Sequence, residues 1–284
     1  MPPRTVGLIG VGLVGTALAE RWRTAGWNVI GYDTSATQCD ALRQLGGEVA
    51  TDPDAVFRAC GVIGLSLPTS DIVTAVLDAI TVPLAGKTII DTTTGDPEAM
   101  AAIGNRLMDH GATYLDATIA GSSAQVRTGE VLILVGGDAA AIAACDDLFR
   151  SFAAQVFPCG ECGDGARMKL VVNLVLGLHR AVLAEGLAFA ERTGIDPRQA
   201  LAVLRAGPTY SRVMDTKGEK MLAGDFTPQA RLSQHLKDVR LILSTGATAG
   251  AMLPLSTLHE QLLAQLVVDG YGDFDNSAVI KAFS

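Results

Sequence analysis

Hydrophobic and polar positions in the first half of the chain switch repeatedly between two periods. Short apolar runs of strand character, TVGLI, NVIGYD, GVIGLSLP, KTIID, TYLDAT, VLILV and QVFPC, are separated by segments whose apolar residues recur at three and four. Those helical segments fall at LVGTALAERWRTAG, residues 36–45, DIVTAVLDAI, and residues 97–110 and 138–152. Ser70 or Asp71, both good capping types, is expected to open DIVTAVLDAI. Alternation of this kind predicts an α/β fold, a doubly wound and largely parallel sheet with helices on both faces.

The pattern changes after Gly165, where no further strand is evident. ARMKLVVNLVLGLHRAVLAEGLAFAERTG reads as one long helix ended by Gly194, Pro197 opens the next, and Pro228 and Pro254 punctuate later ones. The expected organisation is therefore an α/β domain over residues 1–162 and an all-α domain over residues 163–284, which begins with the long interdomain helix.

Composition narrows the classes. The chain has 284 residues, 49% hydrophobic and 18% charged, enough for a sizeable core. A net charge of −8 without a basic run argues against nucleic acid or an anionic membrane surface as partner. MPPRTVGLIG lacks the pattern of a signal peptide. The longest apolar helical run, residues 170–178, is broken by Asn173 and followed by His179 and Arg180, so it is expected to be too short to span a bilayer. A cytoplasmic protein is expected. The five cysteines suit no disulfide framework. Cys159 and Cys162 form a C-x-x-C without a second ligand pair, and no histidine has a partner at metal-ligand spacing, so no metal is expected.

Chemistry enters with GLIGVGLVGTALAE, where Gly10, Gly12 and Gly15 form G-x-G-x-x-G between a strand and a helix. Gly10 allows the turn, Gly12 lets backbone approach a pyrophosphate, and Gly15 lets the helix pack close to the sheet. Gly10, Val11, Gly12, Leu13, Val14 and Gly15 are thus candidate cofactor contacts. Asp33 ends the next strand, where a carboxylate can bind ribose hydroxyls, and Thr34 and Ser35 offer no cation for a 2′-phosphate. NAD is expected rather than NADP. The alternative is a tight turn without a ligand.

Lys169 and Asn173 share one face of the long helix, with Arg180 close to it. Two readings stand open: a polar stripe facing solvent, or a lysine that serves a substrate oxygen during hydride transfer.

Four separated motifs, GLIGVGLVG with Asp33, DTTTGDP, DATIAGSSAQVRTGE, and GECGDGARMKLVVN followed by LKDV, together resemble the β-hydroxyacid dehydrogenase family over nearly the whole chain. Gly160, Gly163, Gly165, Lys169 and Asn173 fit its G-x-x-G-x-G-x-x-x-K-x-x-x-N pattern. The resemblance implies a Rossmann-type domain joined to a helical one, NAD-dependent oxidation of short β-hydroxy acids, and Lys169 as catalytic residue. It further implies Leu67, Pro68, Thr94 and Lys237 as cofactor contacts. Gly121, Ser122, Ser123, Asn173 and Asp238 would bind a small carboxylate-bearing substrate, and the protein would be a homodimer or homotetramer.

One motif departs from the family. Its usual D-A-P-V-S-G-G reads here DATIAGS, so Ala120 replaces the serine that helps bind the substrate carboxylate. Ser122, Ser123 or Gln125 are the candidates to replace that hydroxyl, and a substrate other than 3-hydroxyisobutyrate is expected. Two alternatives are an imine reductase, a relative that generally lacks the lysine, and a non-catalytic NAD(H)-binding sensor.

Overall fold

The computed structural model describes residues 4–283, in two compact units that divide between Lys169 and Leu170. In the first unit the strands are β1 (Thr5–Ile9), β2 (Asn28–Tyr32), β3 (Glu48–Val49), β4 (Val62–Leu65), β5 (Thr88–Asp91), β6 (Thr113–Ala120), β7 (Val131–Gly136) and β8 (Ala153–Gly160). They form one sheet in the order β3-β2-β1-β4-β5-β6-β7-β8. Every neighbouring pair is parallel except β6 and β7. Strand order reverses between β1 and β4, the switch point where open α/β sheets bind ligands beyond their carboxyl ends.

Between the strands run α1 (Leu13–Thr24), α2 (Ala36–Gln44), α3 (Pro53–Ala59), α4 (Ser70–Asp78), α5 (Pro97–Asp109), α6 (Ser123–Thr128), α7 (Ala139–Ala144) and α8 (Asp146–Arg150). One apolar core gathers Trp22, Phe149 and Phe152 against β1, β6 and β7, and another packs Phe57, Met100 and Leu107 against the sheet. Burying such a large side chain contributes on the order of 2 kcal/mol. Several boundaries differ from those read from the sequence. Thr69, rather than Ser70 or Asp71, caps α4 through its Oγ1, because its backbone is extended while Ser70 is already helical. The expected helix over 138–152 is two, α7 and α8, broken at Cys145. β3, α3 and α6 are too short for their periodicity to register.

The second unit is helical: the remainder of α9 (Asp164–Arg192), then α10 (Pro197–Ala206), α11 (Glu219–Ala223), α12 (Leu232–Thr248) and α13 (Pro254–Leu266). Its core includes Leu183, Leu187, Leu236, Val239 and Leu263. α9 runs 29 residues, longer than the apolar stretch seen in the sequence, and by length and composition alone it could cross a membrane. Yet its polar residues Lys169, Asn173 and Arg180 are 7%, 8% and 8% exposed, so the stripe faces protein and not solvent.

Candidate active site

The glycine turn is built by close approach. Gly10 has φ +90°, and a Cβ there would lie 2.3 Å from the Ser66 carbonyl oxygen. A Cβ at Gly15 would come within 2.0 Å of the Gly10 oxygen, so α1 can start here only on bare backbone. Around Gly12, by contrast, a Cβ would meet nothing within 4 Å. Gly12 is also the N-cap of α1, and no side chain accepts from the helix's first amides. Open space over uncapped amides at a helix N-terminus suits a phosphate. Asp33 accepts hydrogen bonds from the Val11 amide (2.7 Å, Oδ2) and the Ser35 amide (2.8 Å, Oδ1), which fixes the end of β2 against the turn. The residues present therefore fit a dinucleotide.

The ends of β4 and β5 border the same edge. β1 is in register with β4 at Ile9 and Leu65, β4 with β5 at Leu65 and Asp91, and β5 with β6 at Asp91 and Asp116. Leu67 follows β4, and its amide donates to Thr93 Oγ1 at 3.1 Å. Pro68 and Thr94 are the next residues along those two loops. Thr93 was not singled out from the sequence; the run of three threonines in DTTTGDP does not say which of them holds the neighbouring loop.

Asp91 and Asp116 are wholly buried. Asp91 accepts from the Thr93 amide (2.9 Å) and the Tyr114 hydroxyl (2.6 Å). Asp116 accepts from the amides of Gly163 (3.0 Å) and Ala166 (2.7 Å), a side-chain anchor for the start of α9. Burial pushes each carboxyl up to about 6, against the opposing pull of these donors. Thr118 Oγ1 donates to the Gly165 oxygen at 3.1 Å. Gly165 is packed so tightly that a Cβ would lie 2.5 Å from the Asp116 oxygen, and Gly163 has φ +99°. The glycine pattern ahead of the lysine thus lets α9 begin against β6. Lys169 follows Gly165 by one turn and is buried.

The substrate-loop residues lie just beyond β6. Ser122 caps α6: its Oγ accepts from the Gln125 amide at 3.3 Å, and its own amide donates to Gln125 Oε1 at 2.9 Å. Its hydroxyl also donates to Gln125 Oε1 at 3.2 Å. Of the three side chains proposed to replace the missing serine, Ser122 and Gln125 are therefore hydrogen-bonded to each other, and Ser123 is left as the loop's other hydroxyl.

Within the second unit, Asn173 Nδ2 donates to Asp238 Oδ2 at 3.0 Å, and Lys237 Nζ lies 3.3 Å from Asp238 Oδ1. Asn173, Lys237 and Asp238 are thus brought together. Beside them Arg180 contacts His235, a pair that the sequence did not suggest, because residues 55 apart share no local pattern.

A model described as the NAD binding domain of 6-phosphogluconate dehydrogenase matches residues 5–160. Another, described as NAD-binding of NADP-dependent 3-hydroxyisobutyrate dehydrogenase, matches residues 163–283. L-threonate dehydrogenase of Cupriavidus necator is 30% identical over 99% of this chain and 96% of its own length. The chain belongs to the β-hydroxyacid dehydrogenase family. A 3-hydroxyisobutyrate dehydrogenase structure from Salmonella typhimurium shares the fold, with a TM-score of 0.89 at 24% identity, covering 98% of this chain and 99% of that one. The nuclear factor N-PAC of Anopheles gambiae is also similar, 28% identical over 96% of this chain, although the chain spans only 49% of that protein. As a member of this family of NAD(P)-dependent hydroxyacid dehydrogenases, the chain carries a dinucleotide-binding domain.

Proposed function

We propose that the protein transfers a hydride reversibly between NAD and a short β-hydroxy acid or its semialdehyde, with Lys169 as the proton donor and acceptor. The observation that carries this reading is a lysine buried to 7% exposure, one turn into a helix whose start is anchored on β6 beside the carboxyl edge of the sheet. An ammonium group in such surroundings has a use in stabilising charge on a reacting oxygen, worth typically 10²–10⁴-fold in rate. Bound nicotinamide would supply or accept the hydride. Residues 10–15, Leu67, Pro68, Thr94 and Lys237 would hold the cofactor. Asp33 supports NAD over NADP, since a carboxylate at the end of β2, hydrogen-bonded to the glycine turn, would repel a 2′-phosphate bound there.

Gly121 and Ser123 would bind the substrate carboxylate, while Asn173, fixed by Asp238, would orient the substrate. Ser122 acts there through its backbone and by shaping α6. Ala120 and the occupied Ser122 hydroxyl support a substrate other than 3-hydroxyisobutyrate.

An exposed apolar stripe along α9, Met168, Val171, Val175, Val182 and Phe189, supports a homodimer or homotetramer. These residues recur at three, four and seven and so line one side of the helix.

Loss of NADH absorbance with pooled short semialdehydes tests the reading. Persistent silence despite tight NADH binding would replace it with the non-catalytic sensor, which Ala120 favours.

A further inference from the structure

Asp116 sits in a slot that bare backbone keeps open. A Cβ at Gly136 on β7 would lie 2.3 Å from its Oδ1, and one at Gly165 would lie 2.8 Å from its Oδ2. Each oxygen takes one amide: Oδ1 accepts from Gly163 at 3.0 Å and Oδ2 from Ala166 at 2.7 Å. These amides stand at the N-terminal end of α9, where helical N–H groups lack partners of their own. Thr118, two residues along β6, donates to the Gly165 oxygen at 3.1 Å. Two side chains of one strand therefore grip the turn that leads into Lys169. The other ties on this turn are at the surface: Asp164 accepts the Glu161 amide, and Arg167 pairs with Asp164 and Glu98. Solvent screens such pairs, so the buried carboxylate carries most of the restraint.

Asp116 forms no ion pair among the described residues. The titratable groups around it are Asp91 on β5, Tyr114 on β6, Cys159 on β8, and Cys162 and Asp164 at the entry to α9. With one amide on each oxygen, a proton on either weakens one of the two anchors, because a carboxylate holds an N–H about twice as strongly as a neutral acceptor. Burial pushes the carboxyl up to about 6, which brings that proton close to neutral pH. We propose that Asp116 is the positioning residue for Lys169: ionised, it fixes the first turn of α9 and the depth of the ammonium group, and protonated it lets both loosen. The role rests on the dehydrogenase reading for what Lys169 does.

The pH profile of kcat between about 5 and 8, run beside hydrogen exchange of the 163–169 amides, tests this. From about pH 7.5 to 5 the wild-type kcat should fall about tenfold, the depletion of ionised Asp116 one unit below about 6. NADH affinity should stay within about twofold. Exchange protection at Gly163 and Ala166, corrected for intrinsic pH dependence, should fall over the same range. Asp116→Asn should lower kcat about tenfold near pH 7.5 and flatten both profiles, whereas a merely structural role would leave their shape unchanged. Asp91→Asn should keep the acid limb and move it to lower pH, since the Asp91 charge raises Asp116. A limb that survives Asp116→Asn, or vanishes in Asp91→Asn, overturns the proposal. Should Asp116→Asn fail to fold, the wild type decides: limb and protection lost together support the role, and a limb without lost protection overturns it. Absence of turnover with acid-sensitive protection intact would sink the dehydrogenase reading and leave the anchor standing.

Discussion

Asp33 accepts the Val11 amide at 2.7 Å, so the carboxylate expected to meet the cofactor ribose also secures the turn that would meet its phosphates. Asp33→Ala should therefore weaken NADH binding by roughly tenfold or more, about one charge-assisted hydrogen bond, and narrow the preference over NADPH. Fluorescence titration with both dinucleotides checks this; an unchanged NADH affinity would reduce Asp33 to a turn residue.

Lys169→Ala should lower turnover by about 10²–10⁴-fold while leaving NADH affinity within about twofold. Steady-state rates alongside dinucleotide titration separate the two effects. Loss of affinity with turnover preserved would reverse the assignment.

Asp116 anchors two α9 amides that water cannot reach. Asp116→Ala leaves both donors unpaired, at a cost of about 1–3 kcal/mol each. Urea denaturation should register a drop of roughly 3 kcal/mol. A change below about 0.5 kcal/mol would mean that the helix start is held by other contacts.

Asp91 makes stability depend on pH. Burial raises its folded value to about 6, above the ordinary 3.8, so folding favours its protonated form. That contribution is full below pH 3.8 and is lost as pH rises through about 6. Asp91→Asn does not ionise, so its loss of stability between pH 4.5 and 7.5 should be smaller than the wild type's by on the order of 2 kcal/mol. Parallel pH dependences in the two proteins would contradict this.

Ala120→Ser restores the family serine at the end of β6. It should raise kcat/KM for 3-hydroxyisobutyrate relative to the native substrate by about tenfold, the scale of one hydrogen bond to a charged group. A panel of short hydroxy acids measured on both proteins gives the ratio directly.

Much of the architecture was legible along the chain because the physics that makes strands and helices is local. Apolar residues at period two or at three and four place seven of the strands and most longer helices, and Gly10 to Gly15 announce a strand-to-helix turn that only bare backbone can make. Short elements such as β3 and α6 offer too few residues for a period, and the Thr69 cap turned on a backbone angle, since Thr69, Ser70 and Asp71 are all capping types and residue type alone does not choose among them. The reversed direction of β7 was not legible either, since a strand's alternation is the same whichever way it runs.

The sequence by itself determined the order of strands and helices, the glycine turn, the position of Lys169 and Asn173 on one helix face, and the departure at Ala120. Only the tertiary structure decided that this face is buried, that Asp116 holds the helix start across 47 and 50 residues, that the Ser122 hydroxyl is already taken, and that Arg180 packs against His235. Periodicity records which side of an element avoids water. Which polar groups then meet depends on how distant segments pack, and residue spacing carries no record of that.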